Sequence, residues 1–174
     1  MSSAKVIGES ARAVEHRTVR LPDLREAGDI PTTIFRDLPP TYIPVRNAIF
    51  YSFAASYAEE CGASVVVGGH NRDDLEVFED VSPGFFRRLQ EAVVTGSPLL
   101  RRRGFRISRP LKQKTKVEVL KLASSMGVPL QLTWSCHRDG ETHCWDCPGC
   151  ESRVIAFMRA GMSDPLSSMP RKVT

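Results

Sequence analysis

Apolar positions along the chain change period repeatedly, and the changes mark out alternating helices and strands. Residues 45–61 repeat apolar side chains at helical spacing. The β-branched run Ser64-Val65-Val66-Val67 follows, opened by Ala63 and ending in Gly68-Gly69-His70-Asn71, as a buried parallel strand does when it delivers a loop at its carboxyl end. Residues 83–94 then read as an amphipathic helix and 104–108 as a short strand. Residues 114–126 form a helix with Val117, Leu120, Leu122 and Ala123 inward, closed by Gly127. A strand-like stretch over 129–134 leads to a last helix over 151–160, stopped by Gly161. Upstream, a short helix over 3–14 and a strand over 16–21 precede a loop too rich in proline for a regular element, with Pro22, Pro31, Pro39, Pro40 and Pro44.

This alternation predicts an α/β fold, a doubly wound parallel sheet with helices on both faces. With 174 residues and 41% apolar content, one core and one domain are expected. Its parts are residues 1–43 (helix, strand and proline-rich loop), 44–130 (the α/β core) and 131–165 (a cysteine knuckle and terminal helix). No apolar run approaches the ~20 residues of a membrane span. The beginning Met-Ser-Ser-Ala-Lys has no apolar signal region, so the chain reads as cytoplasmic, with no membrane partner.

Four cysteines within fifteen residues change the picture most. Cys136, Cys144, Cys147 and Cys150 form a Cys-x7-Cys-x2-Cys-x2-Cys run, with Gly140, Pro148 and Gly149 supplying bends. Thiolates so spaced can converge on one tetrahedral ion, and zinc is the default. Two disulfides or an iron-sulfur cluster also use four cysteines, but a cytoplasmic chain with an odd fifth thiol, Cys61, fits disulfides poorly. Four protein ligands close the ion's coordination, so its role is structural and catalysis lies elsewhere. His137, Arg138, His143 and Arg153 flank the knuckle and could offset its charge.

Net charge is +4, yet eight basic residues and no acid fall between Ala92 and Val117: Arg101, Arg102, Arg103, Arg106, Arg109, Lys112, Lys114 and Lys116. Such a stretch suits phosphate or nucleic acid, or is simply a solvated face. An acidic group, Asp73, Asp74, Glu76, Glu79 and Asp80, follows the first strand.

Four stretches together resemble the 7-cyano-7-deazaguanine synthase family, a nucleotide α-hydrolase-like group: Tyr42-Ile43-Pro44-Val45-Arg46-Asn47, the loop 69–85, Pro110-Leu111 with Lys116-Val117-Glu118, and Leu132-Thr133-Trp134-Ser135-Cys136 with the three later cysteines. The resemblance spans roughly residues 10–165. It implies ATP-dependent conversion of 7-carboxy-7-deazaguanine and ammonia to the nitrile, a ligase reaction that feeds queuosine or archaeosine in transfer RNA. It further implies bound Zn2+, ATP and Mg2+, and favours dimers. Lys116, at a helix start where amides also point outward, is the candidate to stabilise charge on a transferring phosphate, with Lys114 beside it at the nucleotide. Asp74 is the catalytic carboxylate, and Asp73 with Asp74 could hold magnesium. Tyr42, Arg46, Asn47, Asn71, Asp80 and Phe85 are the candidate substrate contacts, guanidinium suiting carboxylate or phosphate and asparagine a purine-like edge. His70 reads as a polar loop residue without a special task.

The chain departs from the family pattern in three places. These synthases begin with a strand and a Ser-Gly-Gly-x-Asp-Ser loop that cradles the pyrophosphate, whereas only Gly8 and Gly28 occur here before Gly62. Val45 stands where a glycine is usual. The substrate loop, usually ending Tyr-Pro-Asp-Cys-Arg, reads Phe78-Glu79-Asp80-Val81-Ser82 before Pro83-Gly84-Phe85. An incomplete sheet follows, and a second polypeptide carrying the missing strand and loop, or a homo-oligomer, would complete it. The competing reading is a non-catalytic zinc module that binds tRNA or a partner enzyme.

Overall fold

A computed structural model describes residues 3–167, apart from 22–23, 27–28, 30–36, 40 and 139. Much of the proline-rich stretch expected over 22–44 lies outside the described residues. The chain folds as two compact units, Val19–Gln113 and a second made of Met1–Thr18 with Lys114–Thr174.

In the first unit, helix α2 (Arg46–Cys61) runs into strand β1 (Val65–Val67) through Gly62, whose φ of 81° is the left-handed conformation that glycine tolerates. Next come the single-turn α3 (Arg72–Leu75), a 3₁₀ turn over Glu79–Val81, α4 (Pro83–Gly96), α5 (Pro98–Arg102) and β2 (Arg106–Ser108). The starts of α4 and α5 repeat one local device. In each, a serine caps the helix and a proline occupies its first turn: Ser82 Oγ accepts from the Phe85 amide at 3.2 Å, and Ser97 Oγ from the Leu100 amide at 3.1 Å.

The two strands pair in parallel, with Val65 opposite Arg106, Val66 opposite Ile107 and Val67 opposite Ser108. Val66 and Ile107 face inward together. One cluster beneath them holds Ala55, Ala58, Leu100 and Phe105, and another holds Tyr51, Val81 and Phe86. Burying both faces of the sheet was expected, but Val67 on the opposite face is 64% exposed, because no described element covers it. The two edges also differ. Arg106 and Ser108 bond toward β1, leaving the Ile107 amide on the outer edge of β2, where Gln90 Oε1 accepts from it at 2.7 Å. Cross-strand bonds involve Ser64 and Gly68 of the β1 segment, so Val65 and Val67 turn their backbone groups to the other edge.

In the second unit, α6 (Lys116–Ser125) packs on α7 (Pro148–Ala160), and α1 (Ser3–Ser10) lies against a 3₁₀ turn at Leu130–Leu132. A capping box starts α6: Thr115 Oγ1 accepts from the Glu118 amide at 3.2 Å, and Glu118 Oε2 from the Thr115 amide at 2.7 Å. Gly127, at φ 69°, ends it, as its place in the sequence suggests.

Two expected strands are corrected. Residues 16–21 are exposed or nearly so and belong to no ladder, and 129–134 contains the 3₁₀ turn. That turn forms because carbonyls of this stretch are taken up locally and by side chains: Thr133 Oγ1 donates to the Leu130 carbonyl at 2.7 Å, and Arg153 Nη2 reaches it at 3.3 Å. The first helix is also shorter than expected, ending at Ser10 instead of residue 14.

Candidate metal centre and active-site residues

The four cysteines converge. Their sulfurs all lie within 4.8 Å of one another, with Cys136–Cys144 at 3.4 Å and Cys144–Cys150 and Cys136–Cys147 both at 3.9 Å. Four sulfurs about 2.3 Å from a tetrahedral ion stand about 3.8 Å apart, close to the spacing of this donor set, so the residues present fit zinc. None of the cysteines is paired in a disulfide.

Main-chain geometry prepares the thiolates. The amides of His137 and Arg138 donate to Cys147 and Cys136 at 3.4 Å each, and the Cys144 amide donates to Cys136 at 3.5 Å. Burial opposes ionisation of Cys147, yet amide donation from His137 and Cys150 outweighs it and brings the thiol down to about 6. Burial pushes the fully enclosed Cys150 up to about 12 in the absence of an ion. Side-chain cations play less part than the sequence suggested. Arg138 pairs with Asp146 at 3.2 Å in solvent. His143 accepts from the Ser135 amide through Nε2 at 3.0 Å, and burial followed by nearby Arg153 lowers its pKa.

Arg153 is committed to holding the C-terminal segment. Its Nε and Nη2 grip Asp164 at 2.6 and 2.8 Å, Nη1 donates to Thr133 Oγ1 at 2.7 Å, and the guanidinium lies 4.9 Å over the Phe157 ring. The start of α7 is wedged from the other side. A Cβ on Gly149 would stand 2.0 Å from the Ser135 carbonyl oxygen and 2.8 Å from His137 Cδ2.

Lys116 sits at the first position of α6. Its Nζ donates to Ser152 Oγ of α7 at 2.9 Å, and both residues line a cavity of about 450 Å³ with Thr133, Ser135 and His137 among its polar walls. Lys114 lies two residues earlier, half-buried, in the same unit.

The candidate substrate residues all belong to the other unit. Asn47, 3% exposed, joins the start of α2 to the loop 71–85: its amide donates to Asp80 Oδ2 at 3.3 Å and its Nδ2 to the Asp80 carbonyl at 3.2 Å. Asp80 Oδ1 is buried, with no hydrogen-bond partner among the described residues. Arg46 lies 5.4 Å over the Phe78 ring, and Phe85 meets Phe86 edge-on at 5.2 Å. Asn71 and Asp74 cap α3 reciprocally, Asp74 Oδ2 accepting from the Asn71 amide and Asn71 Oδ1 from the Asp73 amide, both at 2.9 Å. Tyr42 and Asp73 are half-buried nearby in sequence.

Sequence reasoning gave His70 no special task, read Arg109 only as part of a basic stretch and did not single out Tyr51. His70 packs against both Tyr51 and Phe86, at 5.8 and 5.4 Å, which meet each other edge-on at 4.7 Å, and Arg109 covers the Phe86 ring at 4.3 Å while donating to the Val81 carbonyl at 3.1 Å. Burial lowers the pKa of His70, while Asp74 and Asp80 pull it upward. Gly68 explains the crowding, since a Cβ there would fall 1.5 Å from the Tyr51 hydroxyl oxygen. The Gly-Gly after a strand was the available signal, because it allows a tyrosine from α2 to reach the strand end.

Val45, preceding α2, adopts φ 57° and ψ 18°, a left-handed conformation unfavourable for a β-branched residue. A glycine at this place would adopt the same conformation without that cost.

Curated relatives named 7-cyano-7-deazaguanine synthase align across both units. The one from Thermoplasma acidophilum is 38% identical over 134 residues, covering 77% of this chain and 56% of the relative, so the chain spans little more than half of that protein. Those from Trichodesmium erythraeum and Acaryochloris marina are 36% and 35% identical, covering 95% and 96% of this chain and 81% of each relative. The sequence pattern described as "Queuosine biosynthesis protein QueC" matches residues 3–161, and with those identities the chain belongs to the QueC family.

Proposed function

We propose that this chain takes part in ATP-dependent conversion of 7-carboxy-7-deazaguanine and ammonia to 7-cyano-7-deazaguanine, a carbon-nitrogen ligase reaction of queuosine or archaeosine biosynthesis. The observation that carries this reading is the family match over residues 3–161, which takes in both the cysteine cluster and Lys116. Activating a carboxylate as an adenylate places negative charge on a transferring phosphate. A lysine at a helix start offers a cation beside outward-pointing amides, so Lys116 stabilises that charge, assisted by Lys114. Arg46, Asn47, Asn71, Asp80, Tyr42 and Phe85 bind the deazapurine. Asp80 Oδ1, a buried acceptor with no donor among the described residues, suits the N–H edge of such a base. Asp74 serves as the catalytic carboxylate and, with Asp73, as an oxygen donor to magnesium. Zinc on the four cysteines holds the fold together.

The pyrophosphate cradle, in this reading, comes from a second polypeptide that carries a Ser-Gly-Gly-x-Asp-Ser loop. Support comes from the glycine content before Gly62 and from the sheet edges. The β2 edge is occupied by Gln90, whereas the β1 edge can accept a strand.

The test is release of AMP or pyrophosphate from ATP with carboxydeazaguanine and ammonia. Activity is expected only when a protein carrying Ser-Gly-Gly-x-Asp-Ser is added. Robust turnover by the purified chain rejects the shared-cradle reading, and silence in every combination rejects the synthase reading. Within an active assembly Lys116→Ala should cost at least about tenfold in rate, about 1.4 kcal/mol. Exposed Arg101, Arg102, Arg103 and Arg106 favour the second reading, a module that binds tRNA, which predicts affinity falling steeply with salt.

A further inference from the structure

The cysteine cluster and the lysine lie on the two ends of one short mechanical path. Cys147 and Cys150 are ligand candidates that bracket the first turn of α7, which starts at Pro148. Ser152 follows two residues later, on the same turn and a half of helix, and its Oγ accepts from Lys116 Nζ at 2.9 Å. A hydroxyl at this place has little freedom to wander. Gly149 presses the helix start against Ser135 and His137, and Arg153, next to Ser152, is clamped to Asp164 and Thr133. The ammonium and the hydroxyl line one cavity.

We infer that Ser152 is a positioning residue for the Lys116 ammonium. The inference rests on the role of Lys116 in the proposed reaction, but its physical content can be read without turnover. Four thiolates drawn onto one ion fix the pitch and direction of the first turn of α7, and hence the place of Ser152 Oγ. A lysine chain has four rotatable bonds and loses much rotamer freedom when one geometry is imposed. The hydrogen bond to Ser152 contributes to that restraint at Nζ, where a long cation must meet a phosphate.

The experiment is a short pulse of acetic anhydride on the zinc-loaded chain, with acetylation at each lysine measured by mass spectrometry. Lys121, exposed on the same helix, is the internal reference. In the zinc-loaded wild type, Lys116 should react several-fold more slowly than Lys121. Ser152→Ala, with its zinc content unchanged, should raise the ratio of Lys116 to Lys121 by roughly threefold or more, and Ser152→Thr should restore it. Equal reactivity of the two lysines in the wild type, or an unchanged ratio in the metal-loaded alanine variant, overturns the inference. Should the alanine variant lose zinc, the isosteric pair Ser152→Thr and Ser152→Val makes the same comparison at constant shape. In an active assembly, Ser152→Ala should lower kcat with KM for ATP little changed. Loss of activity in Lys116→Ala but not in Ser152→Ala leaves the reaction standing and removes only the positioning role, whereas full activity in Lys116→Ala removes the reading beneath it.

Discussion

Replacing Arg153 by methionine removes a guanidinium of similar length from the least solvated ion pair in the described residues. The Arg153 and Asp164 side chains are 5% and 7% exposed, so water screens the pair little. Two bonds of 2.6 and 2.8 Å make it bidentate, and among the described residues the other donor to the Asp164 carboxylate is the Leu166 amide at 3.0 Å. Truncating one member of such a pair strands the other charge, which costs about 3–5 kcal/mol. That is a large part of the 5–15 kcal/mol typical of a domain. Lost bonds to Thr133 and the Leu130 carbonyl push toward the upper end. Urea denaturation of the zinc-loaded chain, followed by the fluorescence of Trp134 and Trp145, reads the change. The double variant Arg153→Met with Asp164→Leu should recover most of the loss, because no charge is then left buried. pH supplies an independent sign. Burial tends to raise the Asp164 pKa, but its bonds from Arg153 and Leu166 prevail and hold it below the usual range. In the wild type, therefore, its contribution is complete above about pH 4 and is lost as pH falls through the depressed value. In the methionine variant the buried, lone carboxylate is raised instead, so mild acid should stabilise it. A loss under about 1 kcal/mol, or identical acid profiles, would refute the placement of this pair.

Three further outcomes follow from local geometry. Val45→Gly should be neutral or stabilise the chain by about 1 kcal/mol in thermal unfolding, since Val45 is 57% exposed and strained at φ 57°; clear destabilisation would contradict the left-handed backbone. Cys147→Ser should abolish stoichiometric zinc, read by elemental analysis, and expose the α7 region to proteolysis, because metal affinity at such sites is folding energy on the order of 10 kcal/mol. Gly149→Ala should weaken zinc retention against a competing chelator and lower the melting temperature, as its methyl group would meet the Ser135 carbonyl at 2.0 Å.

Local signals in the sequence determined the cysteine cluster, the five longer helices and the family, whereas the short helices over 72–75 and 98–102 were not read from it. Cysteine spacing, the Ser-Pro helix starts at 82–83 and 97–98, the Thr115–Glu118 capping box and Gly127 all act over a few residues, so their structural effect is written next to them. The strand ending in Gly68-Gly69 was legible for the same reason. Tertiary structure alone decided what pairs across distance. Only the fold brings Arg153 to Asp164 instead of to the thiolates, Lys116 to Ser152, and Tyr51 onto Gly68 beside His70. It also turned the apolar stretch 129–134 into a 3₁₀ turn, where the composition suggested a strand. Period and propensity describe a segment's preference for a conformation, whereas these choices depend on which buried donor reaches which acceptor once the chain has closed on itself.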